Sequence, residues 1–216
     1  MILLLHLADK TSSLVRKIRV QRAGLIHRLR RAQPSRQYFI HLIDALGLNG
    51  HAVEIGVAEG RFSESILKHS LISRLYSVDP WREFTSSDYI DRNNLSQREQ
   101  DARYECVCAR LHPFGERSLI LRTTSLDAAI EFPVGSLDLV YIDANHAYDA
   151  ICKDLTAWWP TVRVGGLFAG HDYLNGERPG YGTFGVRRAV DEFAARYRQH
   201  VFATNERWPS WYLVKR

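Results

Sequence analysis

The chain has 216 residues, is 45% hydrophobic and 25% charged, and carries a formal charge of +5, which suits one globular core and excludes a disordered or fibrous chain. Its three cysteines, Cys106, Cys108 and Cys152, are odd in number and show no zinc spacing or disulfide framework, so a reducing cytoplasm is the expected compartment. The opening Met1-Ile2-Leu3-Leu4-Leu5-His6-Leu7 is too short to span a bilayer and lacks a basic n-region and a cleavage site, so no secretion signal is expected.

Charge is unevenly placed. Residues 1–36 hold nine Lys or Arg against Asp9, a net +8, which leaves −3 for the rest. Leu14, Ile18, Leu25, Ile26 and Leu29 recur at helical spacing between the bases, predicting a basic amphipathic helix over 12–32. Such a helix can meet an anionic membrane surface or a partner; cover for a sheet edge or for a second copy of the chain, a homo-oligomer, is the favoured reading. No aromatic-basic platform accompanies the charge, so nucleic acid is not an expected partner. Residues 1–35 are therefore set apart as a basic helical extension, and 36–216 form the main domain, beginning with a helix over 36–47.

The next stretch is the most informative. An apolar strand over 51–55 runs into Val53-Glu54-Ile55-Gly56-Val57-Ala58-Glu59-Gly60, and a helix over 61–69 follows. Gly56 and Gly60 let the backbone turn tightly and approach a ligand, and the helix start offers free N–H groups. A second strand, 74–79, ends in Asp79, placed to hold a pair of ribose hydroxyls. An NAD pattern beginning at Gly56 needs glycine where this chain has Ala58 and Arg61, which disfavours an NAD-linked oxidoreductase. On the glycine turn alone, a cofactor site and a plain strand-turn-helix corner stand level.

A polar helical insertion is expected over 86–111, then a strand over 117–122 and a helix over 125–131. The strand 137–142 is apolar and ends in Asp143, followed by Ala144-Asn145-His146-Ala147-Tyr148. After a helix over 147–159, the strand 164–170 ends in His171-Asp172-Tyr173. Ligands of open α/β sheets gather outside the carboxyl ends of the strands, so Asp79, Asp143, His171 and Asp172 should converge near Gly56. A helix over 184–198 and two strands, 200–204 and 210–215, close the chain. Alternating strands and helices predict a mostly parallel sheet with helices on both faces.

The acidic residue before Gly56 and Gly60 resembles motif I of class I S-adenosylmethionine (SAM) methyltransferases, with Ala58 in place of the central glycine. Ile142-Asp143 through His146, Tyr148, Asp154-Leu155, Trp158, Pro160, Gly165-Gly166 and His171-Asp172-Tyr173 resemble the signature IDGxHxYxxxxxDLxxWxPxLxxGGxxxxHDY of a subfamily, methyltransferase family 24-like, related to macrolide-sugar O-methyltransferases. Val78-Asp79-Pro80-Trp81 fits the same group, and the likeness covers roughly residues 36–216. It implies an α/β, Rossmann-like fold: a seven-stranded, mostly parallel sheet ending in an antiparallel hairpin.

The same resemblance implies the roles. Glu54, Gly56 and Gly60 would line the amino-acid and ribose end of SAM; Asp79 would hold the ribose; Thr124 and Ser125 would contact adenine beside Leu126; Asp143 would be a further cofactor-binding residue. Ser125 is also a candidate helix cap, and Trp81 either walls the pocket or is a plain buried aromatic. Metal-dependent O-methyltransferases place carboxylates where this chain has Asp143, His171 and Asp172, for Mg²⁺ or Mn²⁺; the imidazole of His171 tilts the set away from the harder ion. In the competing metal-free form Asp143 or His146 is the general base and Asp172 orients a histidine, with His171 kept among the catalytic candidates; His146 is also a candidate helix cap. Residues 84–113 and 175–182 are the expected lid elements, where Arg178 and Tyr181 are candidates to grip the acceptor. The acceptor implied is a sugar-bearing or other polyhydroxyl small molecule. A non-catalytic, SAM-binding subunit recruited through the basic helix is the alternative from another class.

Overall fold

The computed structural model describes residues 35–85 and 89–216, so the basic helix expected over 12–32 lies outside the described residues. The elements in chain order are α1 (Arg36–Ala45), β1 (His51–Ile55), α2 (Arg61–His69), β2 (Arg74–Val78), α3 (Gln97–Leu111), β3 (Ser118–Leu121), α4 (Ser125–Ala129), β4 (Leu137–Ile142), α5 (Tyr148–Trp158), β5 (Val162–Gly170), β6 (Gly176–Arg178), β7 (Gly182–Phe184), α6 (Val186–Arg196), β8 (Phe202–Ala203) and β9 (Trp211–Val214). Seven strands form one sheet in the order β3-β2-β1-β4-β5-β9-β8. The first five are parallel, and β9 and β8 close the edge antiparallel.

Strand alternation decides the two faces. Val53, Ile55, Val140, Ile142 and Phe168 share one core with Ile151, Leu155 and Trp158 of α5 and Val186 and Val190 of α6. Each buried side chain of this size contributes about 1.5–3 kcal/mol. On the opposite face Tyr141 packs its ring against Phe39 of α1 at 5.5 Å and Phe62 of α2 at 4.5 Å. All six residues of β4 are buried, and the strand reads as an apolar run broken only by Asp138, which pairs with Arg163. The order reverses between β1 and β4, and that switch point opens a crevice at the carboxyl ends.

Two expectations need correction. Of the insertion expected to be helical over 86–111, the described residues 89–96 are not helical and the helix begins at Gln97. Asn94 holds the preceding loop open, its side chain donating to the carbonyls of Phe84 and Tyr89, both at 3.0 Å, and accepting from Phe84 N at 2.9 Å. Glu99 then accepts from Ser96 N at 3.1 Å and Ser96 Oγ at 2.6 Å. That Ser-x-x-Glu box sets the helix start. The glycine-rich stretch 175–182 is not a bare loop either, for its flanks pair as the β6–β7 hairpin. No described helix is long and apolar enough to cross a membrane.

Candidate active site

The turn after β1 is built around close approach. Gly56 has φ +81°, and a Cβ there would lie 2.0 Å from the carbonyl oxygen of Asp143, so only glycine lets the β1 and β4 ends meet. Ala58, which stands where motif I has a glycine, adopts φ +48°, a region that L side chains enter at a cost. Asp79 secures that turn: its Oδ2 accepts from Val57 N at 2.9 Å and Ala58 N at 3.0 Å, and its Oδ1 from Trp81 N at 2.8 Å. Burial raises the Asp79 carboxyl while these backbone bonds oppose the shift. Trp81 is buried at φ +39° and donates Nε1–H to Ala58 O at 3.0 Å, so it braces the turn from behind, as the plain buried aromatic.

At the start of α4, Thr124 is the cap, accepting from Asp127 N at 3.3 Å. Ser125, expected as cap or adenine contact, spends its hydroxyl inward, donating to Asp154 Oδ1 at 2.5 Å and accepting from Trp158 Nε1 at 2.9 Å. Asp154 is 5% exposed, and burial pushes its carboxyl up to about 6, with the Ser125 bond opposing.

The other side of the crevice is charged. Asp143 follows β4 and its N donates to Ile55 O at 2.7 Å. Burial alone would raise its carboxyl, yet Arg36 with Nη1 at 2.9 Å from Oδ2, helped by His146, holds it well below the usual range. Glu54, 1% exposed, accepts from Ser63 Oγ, and burial pushes it up to about 8 even with Arg36 Nη2 3.8 Å away. Burial thus favours its neutral form.

His146 sits between three carboxylates. Its Nδ1 lies 3.3 Å from Asp91 Oδ2, and its Nε2 lies 3.0 Å from Asp172 Oδ2 and 3.9 Å from Asp143 Oδ1. The ring stacks on Phe184 at 4.4 Å, 7° from parallel. Burial opposes a charged ring, but the acids prevail and push it up to about 11. It does not cap α5; Asn145 Oδ1 accepts from Ala147 N at 2.9 Å at that helix start.

His171 lies beside Asp172, its Nε2 3.6 Å from Asp172 Oδ1. Its Nδ1 meets Ser210 Oγ at 3.0 Å, beside β9, and Ser210 Oγ also meets the Tyr141 hydroxyl at 2.9 Å. Among the described residues the convergent donor set is Asp143, His146 and Asp172, with ligand atoms within 4.8 Å of one another. Asp172, at φ +53°, turns one carboxylate oxygen to His146 and the other toward His171, so His146 joins the set expected around Asp143 and Asp172. The spacing fits two carboxylates and an imidazole around one divalent ion.

Both sides open into one cavity of about 1130 Å³, lined among others by Arg36, Glu54, Asp79, Asp143, His146 and Asp172. Single small-molecule sites run to about 300–1,000 Å³, so two ligands fit side by side. Tyr181, Phe184 and Trp208 wall one end, and Tyr89 and Asn93 of the insertion also reach it. Thr124, Ser125, Leu126 and His171 are on the lining as expected; Gly60 is not among the lining residues and instead opens α2 as its N-cap at φ +74°.

Sequence reasoning missed Arg36, Asp91, Phe184 and Ser210 as site residues. Only Arg36 left a signal: a cation in the first turn of a helix opposes the macrodipole, which asks for another reason to be there.

The methyltransferase domain family matches residues 53–173, more than half of the chain. The chain belongs to that family. The match spans β1 through the residues after β5, both sides of the crevice. An uncharacterized protein of Acanthamoeba polyphaga mimivirus, R132, is 25% identical over 126 residues, which cover 56% of this chain and 50% of that protein. The chain thus spans about half the length of the curated relative it matches. Among solved structures, an O-methyltransferase from Bacillus cereus in complex with SAH superposes with TM-score 0.57 at 13% identity, covering 94% of this chain and 91% of that one. An O-methyltransferase from Streptomyces achromogenes involved in tomaymycin synthesis, in complex with SAM, gives 0.55 at 14%, covering 83% and 79%. A precorrin 8w decarboxylase from Methanobacterium thermoautotrophicum gives 0.56 at 13%, covering 85% and 92%. These likenesses establish the Rossmann-like methyltransferase fold. The decarboxylase among them shows why the reaction must be argued from the site.

Proposed function

We propose that the domain transfers a methyl group from SAM to a hydroxyl of a small polyhydroxyl acceptor, sugar-bearing in the first instance. One observation carries the reading: the glycine turn splinted by Asp79 and the Asp143, His146 and Asp172 cluster share one cavity large enough for two ligands. The two O-methyltransferase neighbours with SAM or SAH bound support it as analogy. In the transfer, the acceptor oxygen forms a bond to the sulfonium methyl, the sulfur keeps the electron pair, and the hydroxyl proton passes to a site base. Asp143 is ionised already. His146 becomes a base only after giving up the proton its acidic neighbours stabilise, and Asp172 orients it.

A second reading has its own observation, the fit of Asp143, His146 and Asp172 to one ion. Mg²⁺ or Mn²⁺ held there would lower the pKa of the acceptor hydroxyl. Calorimetric titration with SAM, with and without each ion and with NAD as control, tests both. SAM binding without NAD binding is the expected result; absence of SAM binding overturns the proposal, and a rise in affinity with Mn²⁺ selects the metal form.

A further inference from the structure

The cavity ends in a wall of rings that the transfer chemistry leaves unused. Three ring contacts lead outward from the acidic cluster: His146 lies on Phe184 at 4.4 Å, Phe184 meets Trp208 at 5.8 Å, and Trp208 meets Tyr181 at 5.6 Å. Backbone bonds tie the wall to the cluster, Gly185 N donating to His146 O at 2.8 Å and Tyr173 N to Pro209 O at 2.9 Å. Tyr181 sits in the turn of the β6–β7 hairpin. A Cβ at Gly182 would lie 2.7 Å from Ile90 O, and one at Gly180 would lie 2.5 Å from Arg92 Nε, so the turn packs closely on the loop before α3. Arg92 lies over the Tyr181 ring at 4.9 Å yet is off the cavity lining, whereas Tyr181, Phe184 and Trp208 are on it. The guanidinium thus backs the ring from outside the cavity.

Both outer rings keep a polar edge free. The hydroxyls of Tyr141, Tyr148 and Tyr173 bond Ser210, Glu192 and Asp191, and Trp81 and Trp158 donate Nε1–H to Ala58 O and Ser125 Oγ. By contrast, the Tyr181 hydroxyl and Trp208 Nε1 have no hydrogen-bond partner among the described residues. Arg178, the other residue expected to grip the acceptor, donates Nη1–H to Glu177 O at 2.9 Å and is off the lining. Residues 181–208 lie outside the stretch that the family matches, where selectivity rather than the shared reaction is expected to be encoded. We propose that Tyr181 and Trp208 determine acceptor specificity by stacking on the C–H face of a pyranose ring while the Tyr181 hydroxyl and the Trp208 N–H engage its hydroxyls. This rests on the methyl-transfer reading and deepens it, because it names the residues that hold the acceptor and the face they hold. The negative faces of Tyr and Trp rings attract C–H groups polarised by neighbouring oxygens, and their polar edges suit an acceptor that is apolar on one face and hydroxylated round its rim. A flat phenol satisfies the faces but spends its one hydroxyl in the transfer, leaving both edges unmet.

Saturation-transfer NMR on the full chain loaded with S-adenosylhomocysteine (SAH) tests this, with the methyl pyranosides of glucose, galactose, mannose, rhamnose and fucose as probes and catechol as the flat competitor. Saturation of the protein's aromatic protons should pass to the C–H protons on one face of at least one glycoside. Trp208→Ala and Tyr181→Ala should each weaken that glycoside at least about tenfold while SAH affinity stays within about twofold. Tyr181→Phe, which keeps the ring, should lose less than Tyr181→Ala. Absence of transfer to every glycoside, or transfer spread evenly over both faces, overturns the assignment without any variant, as does catechol binding more tightly than all of them. Unchanged glycoside affinity in both alanine variants overturns it too, and so does parallel weakening of SAH and glycoside, the mark of a structural wall. Absence of SAH binding by the unsubstituted chain overturns the methyl-transfer reading and this assignment with it, whereas SAH binding with no glycoside bound sinks the specificity pair alone.

Discussion

The two sides of the crevice are built in opposite ways. The β1–β2 side comes from one short stretch, Gly56 to Trp81, and is held by backbone geometry: Asp79 takes three main-chain N–H groups and Trp81 braces Ala58 O. The β4–β5 side draws Arg36, Asp91, Asp143, His146, Asp172 and Ser210 from almost the whole chain, and is held by charge. A binding surface that must fit an unvarying ligand gains from a fixed backbone. A surface that must move a proton needs titratable groups pressed together.

If that contrast is right, damage to the first side should be structural and damage to the second chemical. The largest effect is expected from Gly56→Ala. Its methyl would collide with the Asp143 carbonyl and sit at φ +81°, so the chain should lose more than about 3 kcal/mol of stability in denaturant unfolding. A melting curve close to the parent's would show that the turn relaxes and that the β1–β2 side is not rigid.

Asp172→Ala reverses the pattern. Methyl transfer should fall at least about 100-fold, since His146 loses the partner 3.0 Å from its Nε2, while SAH affinity stays within about twofold. Asp91→Asn, acting through Nδ1 of the same ring, should cost about tenfold in turnover, again with SAH unaffected. An unchanged rate in Asp172→Ala would remove the β4–β5 side from the chemistry and leave the turn as a binding site alone.

The same contrast explains what could be read in advance. The parallel strands and the closing pair were legible because each buried strand is mostly apolar and bounded by turn residues, as in Leu137–Ile142, where Asp138 is the one polar residue. Gly56, Asp79 and Asp143 were legible because they end such runs. His146 and His171 were both visible, but not that both approach Asp172, nor that Ser210, far along the chain, engages the other ring nitrogen of His171. Asp91 follows no spacing rule; it reaches His146 only because Asn94 fixes the loop before α3. Long-range pairs of this kind leave no local periodicity to find.

Asp154 gives the finest test, because among the described residues it is a carboxylate without the cationic partner that the acids of the β4–β5 side possess. Asp143 faces Arg36, and Asp172 and Asp91 face His146, whereas Asp154 has a hydroxyl from Ser125. Its carboxyl is pushed up to about 6 from a reference of 3.8, burial being the main cause. Between those two values the unfolded chain gives up this proton before the folded one does, so stability falls as pH rises through the window and the loss is complete above about pH 6, on the order of 2–3 kcal/mol. Asp154→Asn keeps an acceptor for Ser125 and cannot ionise. Urea unfolding should therefore show the variant about 1–2 kcal/mol more stable than the parent at pH 7.5 and equal to it near pH 4. A variant less stable at pH 7.5 than at pH 4, relative to the parent, would mean that the ionised carboxylate of Asp154 has a cationic partner after all, and the link between α4 and α5 would then be charge-held like the β4–β5 side.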